Sequence, residues 1–380
     1  MRKFLFVIIC FLFICACKTA QKEMPNQELV DTMEEKQIAA QEFMTETALV
    51  QTEVKEEVNE SKQETKPEQT TPKAETKQEL KQEIKPIVKE ETKQETKKEE
   101  SAPSVEIQTT EIRLDPNNPP KEILKTDDGR LTHPWYFMKV STFSPEGAKP
   151  LWFGEELNYK ISWAFITAGE ATIKADKLLY NGKEYAYQIE TLAKSYPVID
   201  KMFKVRDINM SWIKSDLSKS LGYWQSVREG SYKRDEWLNF DYENNFYNMY
   251  KQNRKGELYK FTTPFTGTEV FDVLSALYYV RNPKIALKDT IYFDIVNVNK
   301  QYPLKVIVHG KEKVKTKAGT FNCIVVEPMI SGESIFVVKG KSLKVWLTDD
   351  EYRLPVKLAV EVFIGSVKAE LYSYKKGGDL

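Results

Sequence analysis

Histidine and cysteine are scarce in this 380-residue chain: His133 and His309 are its only histidines, and its four cysteines fall at 10, 15, 17 and 323. With no partner close to either histidine in sequence, general acid–base catalysis has little to work with, and His309 reads as a surface or turn residue. No Cys/His cluster has metal-ligand spacing, and no glycine pattern cradles a phosphate, so neither metal nor cofactor is expected. Net charge is missing too, with 56 Lys plus Arg against 56 Asp plus Glu, which removes the basic field that nucleic-acid binding needs. From Lys18 to Thr110 there is no Trp, Tyr or Gly, and a stretch of Lys, Glu, Gln and Thr cannot bury a core. Cys10 and Cys15 lie in an apolar leader. Once they and Cys17 are accounted for, Cys323 has no disulfide partner, and beside Ile324-Val325-Val326 it reads as a buried, inert thiol.

What is present begins with leader grammar. Arg2 and Lys3 precede an apolar run from Phe4 to Ala16, too short for the roughly 20 residues of a membrane-spanning helix. Ile14-Cys15-Ala16-Cys17 resembles the bacterial lipobox. That resemblance implies cleavage after residue 16 and lipid (diacylglycerol, palmitate) on Cys17; ordinary cleavage near Ala20 is the alternative. Lys18 lacks the aspartate that retains many lipoproteins in the inner membrane, so the same resemblance implies a cell-envelope protein with the outer membrane favoured.

Residues 17–110 read as a disordered linker. A degenerate unit recurs at Glu64-Thr-Lys-Pro-Glu68, Glu75-Thr-Lys-Gln-Glu79 and Glu91-Thr-Lys-Gln-Glu95. It has no apolar face on which repeats could stack, and Pro67, Pro72, Pro86 and Pro103 interrupt any long helix. At about 90 residues, such a coil reaches on the order of 50 Å.

Residues 111–150 form a proline-rich, extended transition segment in which Trp135, Tyr136 and Phe137 are placed to dock. From 151 to 376 short alternating segments separated by turns predict an all-β, mainly antiparallel domain: a curved sheet, or a half-open or closed β-barrel, with one packed α-helix. Val356, Leu358, Val360, Val362 and Ile364 alternate with Lys357, Ala359, Glu361 and Phe363, and Ala171, Ile173 and Ala175 alternate with Thr172, Lys174 and Asp176. Asn181-Gly182 predicts a two-residue type I′ hairpin, and Lys255-Gly256, Ala318-Gly319 and Gly365-Ser366 predict further turns. Val270, Val273, Leu274, Leu277 and Tyr278 recur at helical spacing, with Thr266 and Glu269 as a candidate capping box. Charges on both strand faces argue against a transmembrane barrel.

Few residues suggest a site. Asp207, Asn209 and Ser211 alternate with Ile208, Met210 and Trp212, so one strand face is polar; it meets a ligand if it points into a barrel and water if it points out. Asp272, Ser275, Tyr279 and Arg281 lie on the less apolar side of the helix, for which capping of the sheet is the plainer role. Asp207, Asn209, Ser211, Tyr279 and Arg281 are the ligand-contacting candidates, and no residue is a catalytic one. Carboxylates could serve a glycan hydrolase only if two face each other across a cleft.

Gly154-Glu-Glu-Leu-Asn-Tyr159, Ala168-Gly-Glu-Ala-Thr172, Val205-Arg-Asp207, Leu274-Ser-Ala-Leu-Tyr-Tyr279 with Arg281, Thr316-Lys-Ala-Gly-Thr-Phe321, and Trp346-Leu-Thr-Asp349 with Arg353-Leu-Pro-Val356 recur together and in order. The set resembles the domain-of-unknown-function family 3108 of exported bacterial proteins, which implies no activity or site residue. The expectation is a non-enzymatic module, tethered to the membrane through Cys17, for an apolar or amphiphilic envelope component such as a lipid. The alternative is a structural or protein-interaction module; a hydrolase comes last.

Overall fold

The computed structural model describes residues 109–380, apart from 117, 122, 144, 146–148, 254, 284–289, 298–299, 331–332, 335–342, 362–365 and 379–380. The leader, Cys17, the linker, Val362, Ile364 and Gly365 lie outside the described residues. Strands β1 (Thr110–Leu114), β2 (Leu124–Lys125) and β3 (Leu131–Thr132) open the fold. A first meander follows: β4 (Glu155–Trp163), β5 (Ile166–Tyr180), β6 (Tyr185–Ser195), β7 (Arg206–Lys214), β8 (Ser220–Glu229), β9 (Tyr232–Asp241), β10 (Phe246–Gln252) and β11 (Leu258–Pro264). After β12 (Val270–Phe271), a second comprises β13 (Thr290–Asn297), β14 (Lys300–Thr316), β15 (Gly319–Ile330), β16 (Glu333–Ser334), β17 (Leu343–Thr348), β18 (Pro355–Glu361) and β19 (Ser366–Lys375). Helix α1 (Pro197–Phe203) joins β6 to β7, and α2 (Val273–Val280) follows β12.

The two meanders become one sheet because the last strand pairs with the first of the other: Leu371 lies opposite Tyr159 and Val367 opposite Trp163. Hydrogen-bonded neighbours run β1-β11-β10-β9-β8-β7-β6-β5-β4-β19-β18-β17-β15-β14-β13, antiparallel throughout, and only β12 pairs parallel, on β13. The sheet is not closed; β1 and β12 stand at its two ends. Alternation decides the faces. Leu157, Tyr159, Ile161, Ala171, Ile173, Val356, Leu358 and Val360 point inward into one core.

The outer face is treated in two ways. Across part of it a ladder of alternating charge follows the register: Lys357 opposite Glu370, Glu370 opposite Lys160, Lys160 opposite Glu170, and Glu170 opposite Lys194. Such a band cannot face hydrocarbon. Farther along, Met210, Trp212, Leu221, Trp224, Trp237 and Tyr250 make an apolar outer face that would be exposed if uncovered. The transition segment covers it: Trp224 Nε1 donates to the Leu131 carbonyl at 2.8 Å and the Leu131 N–H to Asp235 Oδ2 at 3.1 Å. Trp135 is buried there and Tyr136 packs edge-on against Trp224 with ring centroids 5.5 Å apart, whereas Phe137 is half exposed. His133 stacks on Trp212 with ring centroids 4.8 Å apart, above Gly222, where any Cβ would come within 2.7 Å of its Nε2.

Three local expectations are corrected. The Asn181-Gly182 turn is a four-residue loop, not a two-residue one: Tyr180 pairs with Tyr185, and Asn181 Oδ1 accepts from the Lys183 and Glu184 N–H groups, an Asx turn that tightens the longer connection. The helix starts at Val273, not before; Val270 and Phe271 extend as β12, and the capping box is Asp272 with Ser275, not Thr266 with Glu269. Among the described residues there are two α-helices, α1 being too short to show a period.

Candidate functional site

Helix α2 lies against the inner face and is held by polar contacts at both ends. At its N-terminus Asp272 is wholly buried and accepts on Oδ1 from the N–H groups of Leu274 (2.9 Å) and Ser275 (3.1 Å). Its Oδ2 accepts from the hydroxyls of Ser211 (2.7 Å) and Ser220 (2.6 Å), on β7 and β8. An ordinary cap is thereby also a weld between helix and sheet. At the other end Arg281 makes a bidentate pair with Glu155 of β4, both bonds 2.6 Å, and Tyr278 donates to the same carboxylate at 2.6 Å. The guanidinium also lies over the Tyr278 ring at 4.7 Å and donates from Nε to the Arg353 carbonyl at 3.1 Å. Arg353 in turn donates to the carbonyls of Val280 and Asn282, which end the helix.

Ser211 and Arg281 are therefore occupied in anchoring α2, and Tyr279 packs among Phe271 and Phe293. Asp207 and Asn209 fall elsewhere, on the same inner face of β7 but toward α1. There they belong to a buried polar row that crosses the strands. Asn209 donates to Thr191 Oγ1 at 3.0 Å; the Tyr223 hydroxyl lies 3.4 Å from Asn209 Oδ1 and 3.3 Å from Gln225 Oε1. Gln225 bonds Glu236, and Arg234 Nε pairs with Glu236 Oε2 at 3.4 Å. Asp207 closes the row: its Oδ1 accepts from the Arg228 N–H at 2.7 Å, and the Glu229 carboxyl lies beside it. Burial pushes the Asp207 carboxyl up to about 6, against the opposing effect of the Arg228 backbone N–H.

Thr191, Gln225, Glu229, Arg234 and Glu236 were missed as site residues. Thr191 and Gln225 are single polar positions among inward-facing apolar ones and Arg234 and Glu236 are successive inward positions of β9; only pairing across strands aligns them, Thr191 opposite Asn209 opposite Gln225 opposite Glu236. The remaining reactive groups do other work. His309 faces Glu327 at 2.5 Å on an exposed strand surface, and burial pushes the Cys323 thiol up to about 11. No group of His, Cys, Asp and Glu among the described residues could hold a metal ion, and no described helix is long and apolar enough to cross a membrane.

A model of the family described as protein of unknown function DUF3108 matches residues 158–372, from β4 through β19. The chain belongs to that family. This DUF3108 domain thus comprises both meanders and α2, while the transition segment that seals its outer face lies outside the match. No curated protein matches the chain. Among solved structures it is similar to a β-barrel-like protein of domain-of-unknown-function family 1849 from Brucella abortus, with 8% identity, 60% of this chain and 99% of that one covered, and a TM-score of 0.40. It is also similar to a candidate lipoprotein from Parabacteroides distasonis (10% identity, 60% and 100% covered, TM-score 0.29). A candidate exported protein with a YmcC-like fold from Bacteroides fragilis matches at 9% identity, 60% and 98% coverage and a TM-score of 0.29.

Proposed function

We propose that this DUF3108 protein is a non-enzymatic envelope module, lipid-anchored through Cys17 with the outer membrane favoured, whose interior holds an amphiphilic envelope component. The observation that carries this reading is the two-sided interior. Leu157, Ile161, Ile173, Leu358 and Val360 give one wall that is mainly apolar, its one carboxylate, Glu155, being taken up by Arg281. The opposite strands bury Thr191, Asn209, Gln225, Arg234 and Glu236. These groups are hydrogen-bonded to one another, and a fold that needed only a core would use apolar residues there. An apolar wall facing a polar row suits a molecule with a tail and a head. Native mass spectrometry of the mature chain tests this: a co-purified amphiphile is expected from the parent and not from Asn209→Leu with Gln225→Leu. A parent that carries no such molecule overturns it.

Hydrolysis of a glycan fits less well, because Asp207 and Glu229 are in direct contact and buried, where opposed carboxylates need a gap of about 5 Å or more. One observation favours a protein partner as the second reading: Phe137, Val140 and Phe143 are exposed along the transition segment. Crosslinking from those positions in cells would then trap one dominant protein.

A further inference from the structure

At one end of the barrel-like sheet the exposed surface combines apolar side chains with lysines. The β4–β5 turn presents Phe165 at 57% exposure, and α1 presents Val198 and Met202 at 74% and 53%. Val198 and Met202 are one helical turn apart and share a face. These elements are neighbours: Gly169 pairs with Ser195, so close that a Cβ on it would strike the Lys194 carbonyl, and the Tyr196 N–H donates to the Ala168 carbonyl at 3.0 Å. The β8–β9 turn joins them, since the Gly230 N–H donates to the Lys204 carbonyl at 2.7 Å and the Phe203 ring covers Gly230.

Charge on this rim has one sign. Lys201, Lys204 and Lys233 are exposed, and the one carboxylate of α1, Asp200, is already held by Arg206 at 2.6 Å. Turns at the other end expose both signs, Asp216, Glu243, Asp349, Asp350 and Glu351 together with Lys183 and Lys317. A surface of exposed apolar side chains ringed by lysines is complementary to an anionic bilayer interface, where apolar groups enter the headgroup layer and lysines meet phosphates.

We propose that the rim of the β4–β5 turn, α1 and the β8–β9 turn docks on anionic phospholipid, with Phe165, Val198 and Met202 entering the interface and Lys201, Lys204 and Lys233 contacting the headgroups. This stands independently of any molecule held in the interior. The experiment uses the chain from residue 17 with Cys17→Ser, so that no acyl chain contributes. Vesicles of phosphatidylethanolamine and phosphatidylglycerol should bind it, vesicles of phosphatidylcholine should not, and added salt should release it. Lys201→Glu with Lys204→Glu and Lys233→Glu should weaken binding about a hundredfold. Phe165→Ser with Val198→Ser and Met202→Ser should weaken it about tenfold or more, with the melting temperature unchanged because all three are exposed. A polarity-sensitive dye on Phe165→Cys should shift to the blue with vesicles, and one on exposed Tyr292→Cys should not. Failure to bind the anionic vesicles, or binding that neither triple variant weakens, overturns the proposal.

Discussion

His133 and Asp207 are both buried and both shifted, and their contributions to stability run in opposite directions with pH. Burial holds His133 at about 3, below its ordinary 6.5, with Nδ1 accepting from the Trp135 N–H at 3.0 Å and the proton left on Nε2 toward the Leu238 carbonyl. Because the folded state refuses a proton that the unfolded chain accepts, this contribution is complete above about 6.5 and is lost as pH falls toward 3. Asp207, raised to about 6 from 3.8, does the reverse: its contribution is complete below 3.8 and lost as pH rises through 6. Asp207→Asn should therefore raise stability above pH 6 by about 1–3 kcal/mol and change it little near pH 4, as urea unfolding at the two pH values would show. Gly222 lets the imidazole sit where it does. Gly222→Ala should push His133 off Trp212 and cost about 1–3 kcal/mol, read as a lower melting temperature with altered tryptophan fluorescence.

At the scale of the element, α2 shows how a short helix can hold a wide sheet. Its eight residues bury Leu274, Ala276, Tyr278 and Val280, but its position is set by Asp272 on β7 and β8 and by Arg281 on β4. Asp272→Ala removes more than a cap. It strands the Ser211 hydroxyl in a dry interior and leaves Ser220 only the longer bond to the Gly222 carbonyl at 3.3 Å, so a loss of about 2–4 kcal/mol is expected against about 1 for an ordinary cap. Chemical denaturation of Asp272→Ala, compared with Asp272→Ala carrying Ser211→Ala and Ser220→Ala, would check this. The triple variant should recover part of the loss, since no hydroxyl is then left unpaired.

For the whole molecule, the transition segment is part of the fold. It covers Trp212, Trp224 and Trp237, which the family match leaves without a lid. A chain starting at residue 142 should bind a hydrophobic dye and lose at least about 5 kcal/mol, because several aromatic side chains return to water. A chain starting at residue 109 should do neither. The same scale explains how an apolar outer patch is kept from exposure: it is sealed by the chain itself, while the neighbouring part of the outer face carries the charge ladder.

The strand alternations at 171–175 and 356–360, the helix near 273 and the buried state of Cys323 were all legible in the sequence, because each rests on periodicity or composition within a few residues. Asp207, Asn209 and Ser211 were visible as one polar strand face, but not their division between a polar row and a helix anchor. That division depends on which residues stand opposite them, 18 positions away at Thr191 and 61 positions away at Asp272. Local pattern determines which way a side chain faces; only strand pairing and the crossing of α2 decide what it meets there, since those partners are brought together by packing and not by nearness along the chain.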